Sequence, residues 1–147
     1  DGYHSNMKYN GLKRALGEMG CTDRLKVEYC KDYSFKDGYN AIINFLQSNT
    51  KLPDAIIAVN DSVAQGAALA LYEKGFIIPE DVSIVGNDDL LIPLAPHVSL
   101  TTLSSPVHET AKQCIGIIKE TMGGKGITRQ CILNQEIIIR NSVKHIK

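Results

Sequence analysis

The sequence lacks an excess of either charge. Sixteen Lys and Arg are matched by sixteen Asp and Glu, so the chain offers no field to draw it onto phosphate backbones or anionic lipid. Nucleic-acid binding by these 147 residues themselves is not expected. No apolar run approaches the roughly 20 residues that span a bilayer, which excludes a membrane-crossing helix. The amino end, Asp1-Gly2-Tyr3-His4-Ser5-Asn6, has neither a basic region nor an apolar signal core, and no initiator Met. The expectation is a piece of a longer chain. Cys21, Cys30, Cys114 and Cys131 contain no close-spaced pair. Buried free thiols in a reducing compartment account for them better than disulfides do. Internal repeats and low-complexity linkers are also missing.

Catalytic and metal motifs are absent in turn. His108-Glu109-Thr110-Ala111-Lys112 puts lysine where a zinc-protease helix needs its second histidine, so these are read as solvent-facing helix residues. His4, His97, His108 and His145 have no ligand spacing with one another or with cysteine, and no metal or other cofactor is expected. The glycine-lysine pair in residues 122–128, MGGKGIT, lacks the earlier glycine and the following hydroxyl of a phosphate loop. A helix stop and turn explains it. There is no nucleophile elbow, and no serine or cysteine has a sequence-local basic partner. The sequence gives no positive support to an enzyme.

What is present is a globular composition, 44% hydrophobic and 22% charged, organised around residues 52–89. An apolar run at 55–59 ends in Asn60-Asp61. A helix rich in Ala64, Gly66, Ala67, Ala68 and Ala70 occupies 62–74, Pro79-Glu80-Asp81 turns the chain, and a second apolar run at 82–85 ends in Gly86-Asn87-Asp88-Asp89. Continuous apolar strands joined by a helical crossover predict a parallel sheet covered on both faces. The inference is an α/β fold with a doubly wound parallel sheet. Its ligands would sit at the carboxyl ends of the strands.

The flanking segments fit that scheme. Met7, Leu12, Ala15, Leu16 and Met19 share a helical face over 6–19, with Gly20 as the stop; Leu25, Val27 and Tyr29 alternate as a short strand within 25–30. A second helix runs from a Ser34 cap to near Asn49, with Phe35, Tyr39, Ile42 and Leu46 on one face. Residues 90–98 form a loop or crossing segment, and 99–103 a short strand. Ser105-Pro106 then opens a helix by hydroxyl cap and first-turn proline, with Val107, Ala111, Cys114, Ile115, Ile118 and Met122 on its face and Gly123-Gly124 closing it. Residues 132–140 supply one or two terminal strands.

The polar strand ends are the candidate site. Two carboxylates and an amide suit a neutral polyhydroxyl ligand, because an ionised carboxylate accepts hydrogen bonds from adjacent hydroxyls. Asn60 and Asp61 are each either a helix cap or a ligand contact, and Asp89 reads as a solvated turn residue. Tyr33 either offers an apolar face to a sugar ring or packs half-buried.

Asn60-Asp61 before a small-residue helix, Gly75, Pro79-Glu80-Asp81-Val82-Ser83-Ile84-Val85-Gly86, Asp88-Asp89, and Leu100-Thr101-Thr102-Leu103 with Pro106 together resemble the effector-binding core of the lactose-repressor family of bacterial transcription regulators. The resemblance runs from about residue 8 to 143. It implies a partial, type I periplasmic-binding-protein-like fold, mostly the carboxyl-terminal of two subdomains. Residues 1–96 would form that subdomain, 97–124 would cross to the other, and 125–147 would return. Carried over by position, ligand contacts fall on Lys8, Tyr33, Asn60, Asp88 and Ser105. Lys8 departs from the usual arginine, keeping charge but losing the bidentate fork. Asn87 stands where the family usually has an aromatic. Lys8-Tyr9 also resembles arabinose-repressor-like members. The implied protein is a cytoplasmic homodimer that takes a small effector, a sugar, and meets operator DNA only through a separate head, with no membrane partner. The alternative is a periplasmic sugar-binding protein of a transporter.

Overall fold

The computed structural model describes residues 3–48, 51–90, 93–95, 97–124 and 130–145. Its elements run α1 (Tyr3–Glu18), a 3-10 turn (Thr22–Arg24), α2 (Phe35–Ser48), β1 (Ala55–Ile57), α3 (Asp61–Glu73), β2 (Ser83–Asp88), β3 (Pro93–Ala95), β4 (Val98–Ser99), β5 (Thr101–Ser104), α4 (Val107–Met122) and β6 (Glu136–Ile138). One sheet has the order β1-β2-β5-β6, and β3 and β4 form a separate two-stranded ladder. The pairs β1–β2 and β2–β5 are parallel, whereas β6 runs antiparallel to β5. The expected parallel-dominated α/β architecture is therefore present.

The core forms where α3 lies on β2 and β3, with α2 packed on α3. Ala64, Ala67, Ala68, Leu71, Ile84, Val82 and Leu100 fill it. The small residues of α3 allow an unusually close crossing. A Cβ on Gly38 of α2 would lie 2.0 Å from the Val63 carbonyl oxygen, and one on Gly66 of α3 would lie 1.8 Å from that of Phe35. Both helix backbones thus touch through glycine. Two helix ends follow from local chemistry. Ser34 and Asp37 make a reciprocal cap on α2, the Asp37 N–H donating to Ser34 Oγ at 3.2 Å and the Ser34 N–H to Asp37 Oδ2 at 2.9 Å. At the end of α3, Gly75 takes φ 83°, and the Phe76 and Gly75 N–H groups close onto the Leu71 and Tyr72 carbonyls.

Several expectations are corrected. The alternating stretch 25–30 forms no strand: alternation selects a face, but a strand also needs a ladder partner, and Tyr29 is 87% exposed. The sheet is not covered on both faces at β1, where Ile57 is 56% exposed. The helix near the amino end forms and stops at Gly20 (φ 69°), yet Met7 and Met19 are exposed. In α4 the predicted apolar face is outward, with Val107, Ile115, Ile118 and Met122 all exposed, and no described residue of α4 is buried. Pro106, not Ser105, occupies the cap position of α4, without a side-chain cap bond. The segment read as loop or crossing contains β3, whose Leu94 reaches the core. All four cysteines are free, but none is buried and Cys114 and Cys131 are exposed. The end of α2 near Asn49 and the 125–128 part of the glycine-rich turn lie outside the described residues.

The carboxyl-terminal segment is integral to the sheet. Buried Ser142 donates its hydroxyl to the Ile84 carbonyl at 2.6 Å, accepts the Thr101 N–H at 2.8 Å, and receives the Ile84 N–H on its own carbonyl. It therefore bridges β2 and β5 below their ladder.

The glycine crossing sets a test. Gly38→Ala forces backbone apart and is expected to destabilise by about 1–3 kcal/mol or more. Gly11→Ala, in the interior of α1 with nothing within 4 Å of its Cβ, is expected to stabilise by about 0.5–1 kcal/mol. Urea denaturation midpoints should move in opposite directions.

Candidate functional site

The parallel register brings the candidate residues to one level. Ile57 pairs with Val85, so Asn60 and Asp88 each stand three residues further along adjacent strands. Asp88 pairs with Ser104, which leaves Ser105 one residue beyond on the next strand. Three neighbouring parallel strands thus deliver an amide, a carboxyl and a hydroxyl at their carboxyl ends.

A direct hydrogen bond joins Tyr33 and Asn60, and Lys8 is tied to the residue before Asn60. Lys8 Nζ donates to the Val59 carbonyl at 2.9 Å, beside Asn60. Asn60 Oδ1 accepts the Val63 N–H at 2.8 Å and so caps α3, while its Nδ2 donates to the Tyr33 carbonyl at 3.0 Å. One carboxamide therefore starts the helix and holds the loop that carries the tyrosine ring. Tyr33 has φ 54° and leaves 39% of its surface in solvent, a half-open ring face at the strand ends. Its loop is fixed on the other side by Asp37 Oδ2, which accepts from the Asp32 N–H at 3.1 Å and from the Ser34 N–H and hydroxyl. Asp88 and Ser105 join the set by strand register. The exposed Asp88 carboxyl accepts from Asn87 Nδ2, and Asn87 is itself buried. At this position an amide replaces aromatic packing and orients its neighbour instead.

The two remaining aspartates have roles the sequence did not assign. Asp61 is completely buried. It caps nothing, since Asn60 holds the cap. Its Oδ1 accepts the Thr102 hydroxyl at 2.7 Å, and its Oδ2 accepts the Leu90 N–H at 2.7 Å. Gly86 makes room, for a Cβ there would lie 2.1 Å from Asp61 Oδ1. Asp89 is not a free turn residue, because Arg140 Nη2 lies 2.6 Å from its Oδ1. Asp88 (φ 119°) and Asp89 (φ 56°) both occupy left-handed backbone, at a cost of about 1–3 kcal/mol each that the surrounding bonds must offset. Thr102, Arg140 and Ser142 were missed by sequence reasoning. The only signal was polarity inside or just past β-rich runs.

Burial, followed by the charges of Asp37 and Glu28, pushes the Cys30 thiol up and disfavours thiolate. Among the described residues no group of three or more His, Cys, Asp or Glu could hold a metal ion, and no helix is long and apolar enough to cross a membrane.

Polar residues at the carboxyl ends of a parallel sheet, with the Tyr33 loop tied to one of them, are the arrangement of a ligand-binding α/β domain. The chain belongs to the periplasmic binding protein-like domain family, whose model matches residues 1–143, and within it to the effector-binding domains of lactose-repressor type. It is 34% identical over 145 residues to the HTH-type transcriptional repressor PurR of Haemophilus influenzae, covering 95% of this chain and 42% of that protein. A LacI-type transcription regulator from Bifidobacterium animalis superposes with TM-score 0.81 at 25% identity, over 96% of this chain and 51% of that one. A LacI family transcriptional regulator from Enterococcus faecium, solved with bound ribose, gives TM-score 0.80 at 25% identity, over 93% of this chain and 50% of that one. The chain thus spans about half the length of these structures and less of the curated relative.

Two measurements probe this geometry. Asn60→Ala should cost about 1 kcal/mol through the lost cap, whereas Asn60→Ser keeps a cap acceptor and loses the donor to Tyr33. Thermal unfolding should then separate the two, Ala falling further than Ser. Ser34, by its backbone and then its side chain, holds the Asp37 carboxyl below its ordinary value. A carboxyl lowered in the folded state stabilises above its unfolded pKa and loses that contribution as pH falls through the folded value. Helicity of α2 should accordingly weaken below about pH 4, and Asp37→Asn should abolish that part of the acid transition.

Proposed function

We propose that this chain is the sensor part of a transcription regulator and binds a small carbohydrate effector without chemical turnover. The observation that carries the reading is the equal level of Asp88 and Asn60 at the ends of adjacent strands, with the Asn60 amide bonded to the Tyr33 carbonyl. Asp88 would accept from vicinal hydroxyls, the free lone pair and second N–H of the Asn60 amide would complete the polar edge, and Tyr33 would cover an apolar ring face. Lys8 and Ser105 would contribute from the rim. The ribose-bound Enterococcus faecium regulator supports a sugar.

In this reading the effector favours one arrangement of the domain over another, and the shift reaches a DNA-binding head outside these residues. The protein would work in the cytoplasm as a homodimer, for which exposed Leu69 and Tyr72 on α3 and neighbouring Ile77 offer an apolar surface. A second reading, a purine-related effector, is favoured by the likeness to repressors named PurR. The same strand-end residues would serve it, with Tyr33 stacking on a base.

The test is calorimetry of the full-length protein against ribose, other pentoses and hexoses, hypoxanthine and guanine, with Asp88→Ala and Asn60→Ala beside the parent. Loss of a charged hydrogen-bond acceptor to hydroxyls should weaken sugar binding by at least about tenfold. Unchanged affinity in Asp88→Ala would remove Asp88 from the site, and binding of a purine alone would select the second reading.

A further inference from the structure

The carboxyl-terminal segment reaches the ligand end of the sheet in a way that the functional reading leaves unused. Arg140 follows β6 and is anchored on β5 before it touches the site. Its own N–H donates to Thr101 Oγ1 at 2.9 Å, and Nη1 donates to the Leu100 carbonyl at 2.8 Å. Nη2 then extends to Asp89 Oδ1 at 2.6 Å, across 51 residues of sequence. The two side chains are 21% and 30% exposed, which sets this pair apart from α1's solvent-facing Arg14–Glu18 pair at 84% and 73%. A guanidinium with its backbone and one nitrogen already fixed has little freedom left to lose when it binds the carboxyl.

What it holds is the turn that aims Asp88. Asp88 and Asp89 are consecutive residues in left-handed backbone, a conformation that persists only where neighbours over-determine it. Other ties are the pairing of Asp88 with Ser104 on β5, the Asn87 amide on the Asp88 carboxyl, the Leu90 N–H on Asp61 Oδ2 at 2.7 Å and a long contact of the Asp89 N–H with Thr102 Oγ1 at 3.4 Å. Among the described residues, the Asp89 side chain is bound by Arg140. Asn87 Nδ2 bonds the Asp88 carboxyl directly, and the backbone that Asp88 shares with Asp89 sets where that side chain starts.

We propose that Arg140 is a positioning residue for the ligand-facing carboxyl of Asp88, acting through Asp89 to hold the two left-handed residues in the arrangement that presents that carboxyl at the strand ends. This rests on the assignment of Asp88 as a ligand contact. It also gives the terminal segment a part in recognition without a contact of its own.

Hydrogen exchange on the full-length protein tests the idea without requiring a known ligand. In Arg140→Gln the Asp89 and Leu90 amides should exchange about tenfold faster, while those of Ala68 and Leu71 in the core of α3 hold their rates. Asp89→Asn, which removes the charge at constant size, tests the tie from its other end and stands in should Arg140→Gln not fold. The double variant should show no further acceleration, as expected of one coupled interaction. Unchanged exchange at 89 and 90, or a uniform rise across β2 and α3, would overturn the proposal, the second outcome marking Arg140 as a general support of the fold. The two assignments fail separately. Unaltered effector affinity in Asp88→Ala removes the ligand reading and leaves the exchange result standing, whereas unaltered exchange removes the role of Arg140 and leaves Asp88 untouched.

Discussion

The Asp61 side chain is shut away from water at the junction of α3, β2 and β5, and much of the candidate site depends on how it is satisfied. Withdrawing a carboxyl from solvent is costly, on the order of several kcal/mol if it is charged, unless its oxygens find donors. Two parts of the chain provide them: the Thr102 hydroxyl, 41 residues away, and the Leu90 N–H, 29 residues away. The helix start, the third strand and the turn after β2 are therefore joined at one point. Gly86 is the condition for that junction, since any side chain would displace Asp61. A glycine in the middle of an apolar strand weakens it in isolation. Here it admits the group that locks the strand's end.

A similar exchange of local cost for assembly recurs between the helices. Gly38 and Gly66 lower the intrinsic helix stability of α2 and α3 by about 0.5–1 kcal/mol each relative to alanine. In return the helix backbones meet closely enough for the Asn60 amide, at the start of α3, to reach the Tyr33 carbonyl just before α2. The exposure of Tyr33 and the level of Asn60 are consequences of helix packing as much as of the loop itself. Tyr39 Oη adds a tie further along, donating to Glu73 Oε2 at 2.6 Å.

Much of this was legible where a local pattern carried the information. The cap at Ser34, the stop at Gly20, the small-residue face of α3 and the parallel pair of apolar strands all rest on interactions between residues close in sequence or on simple periodicity. Errors arose where the partner was distant. Residues 25–30 alternate correctly for a strand but pair with none of the described strands, and the apolar stripes of α1 and α4 predict helices correctly while much of each stripe lies exposed. The roles of Asp61 and Asp89 were hidden because Thr102 and Arg140 lie 41 and 51 residues onward. A carboxylate at a strand end looks the same in sequence whether it faces a ligand, a buried hydroxyl or a guanidinium.

The four polar residues at the two strand ends therefore divide by what their side chains already bind. Asp61 uses one oxygen for Thr102 and the other for Leu90, and Asp89 is engaged by Arg140. Asn60 is half committed, one oxygen lone pair to the cap and one N–H to Tyr33. Asp88 is the exception: it is exposed, its side chain touched by its neighbour Asn87. Satisfied inner residues fix the backbone, and the least satisfied outer residue retains acceptor capacity. That gradient, from buried and saturated to exposed and open across two adjacent strand ends, is what a preorganised recognition site requires, because ordering costs met during folding need not be met again when a ligand arrives.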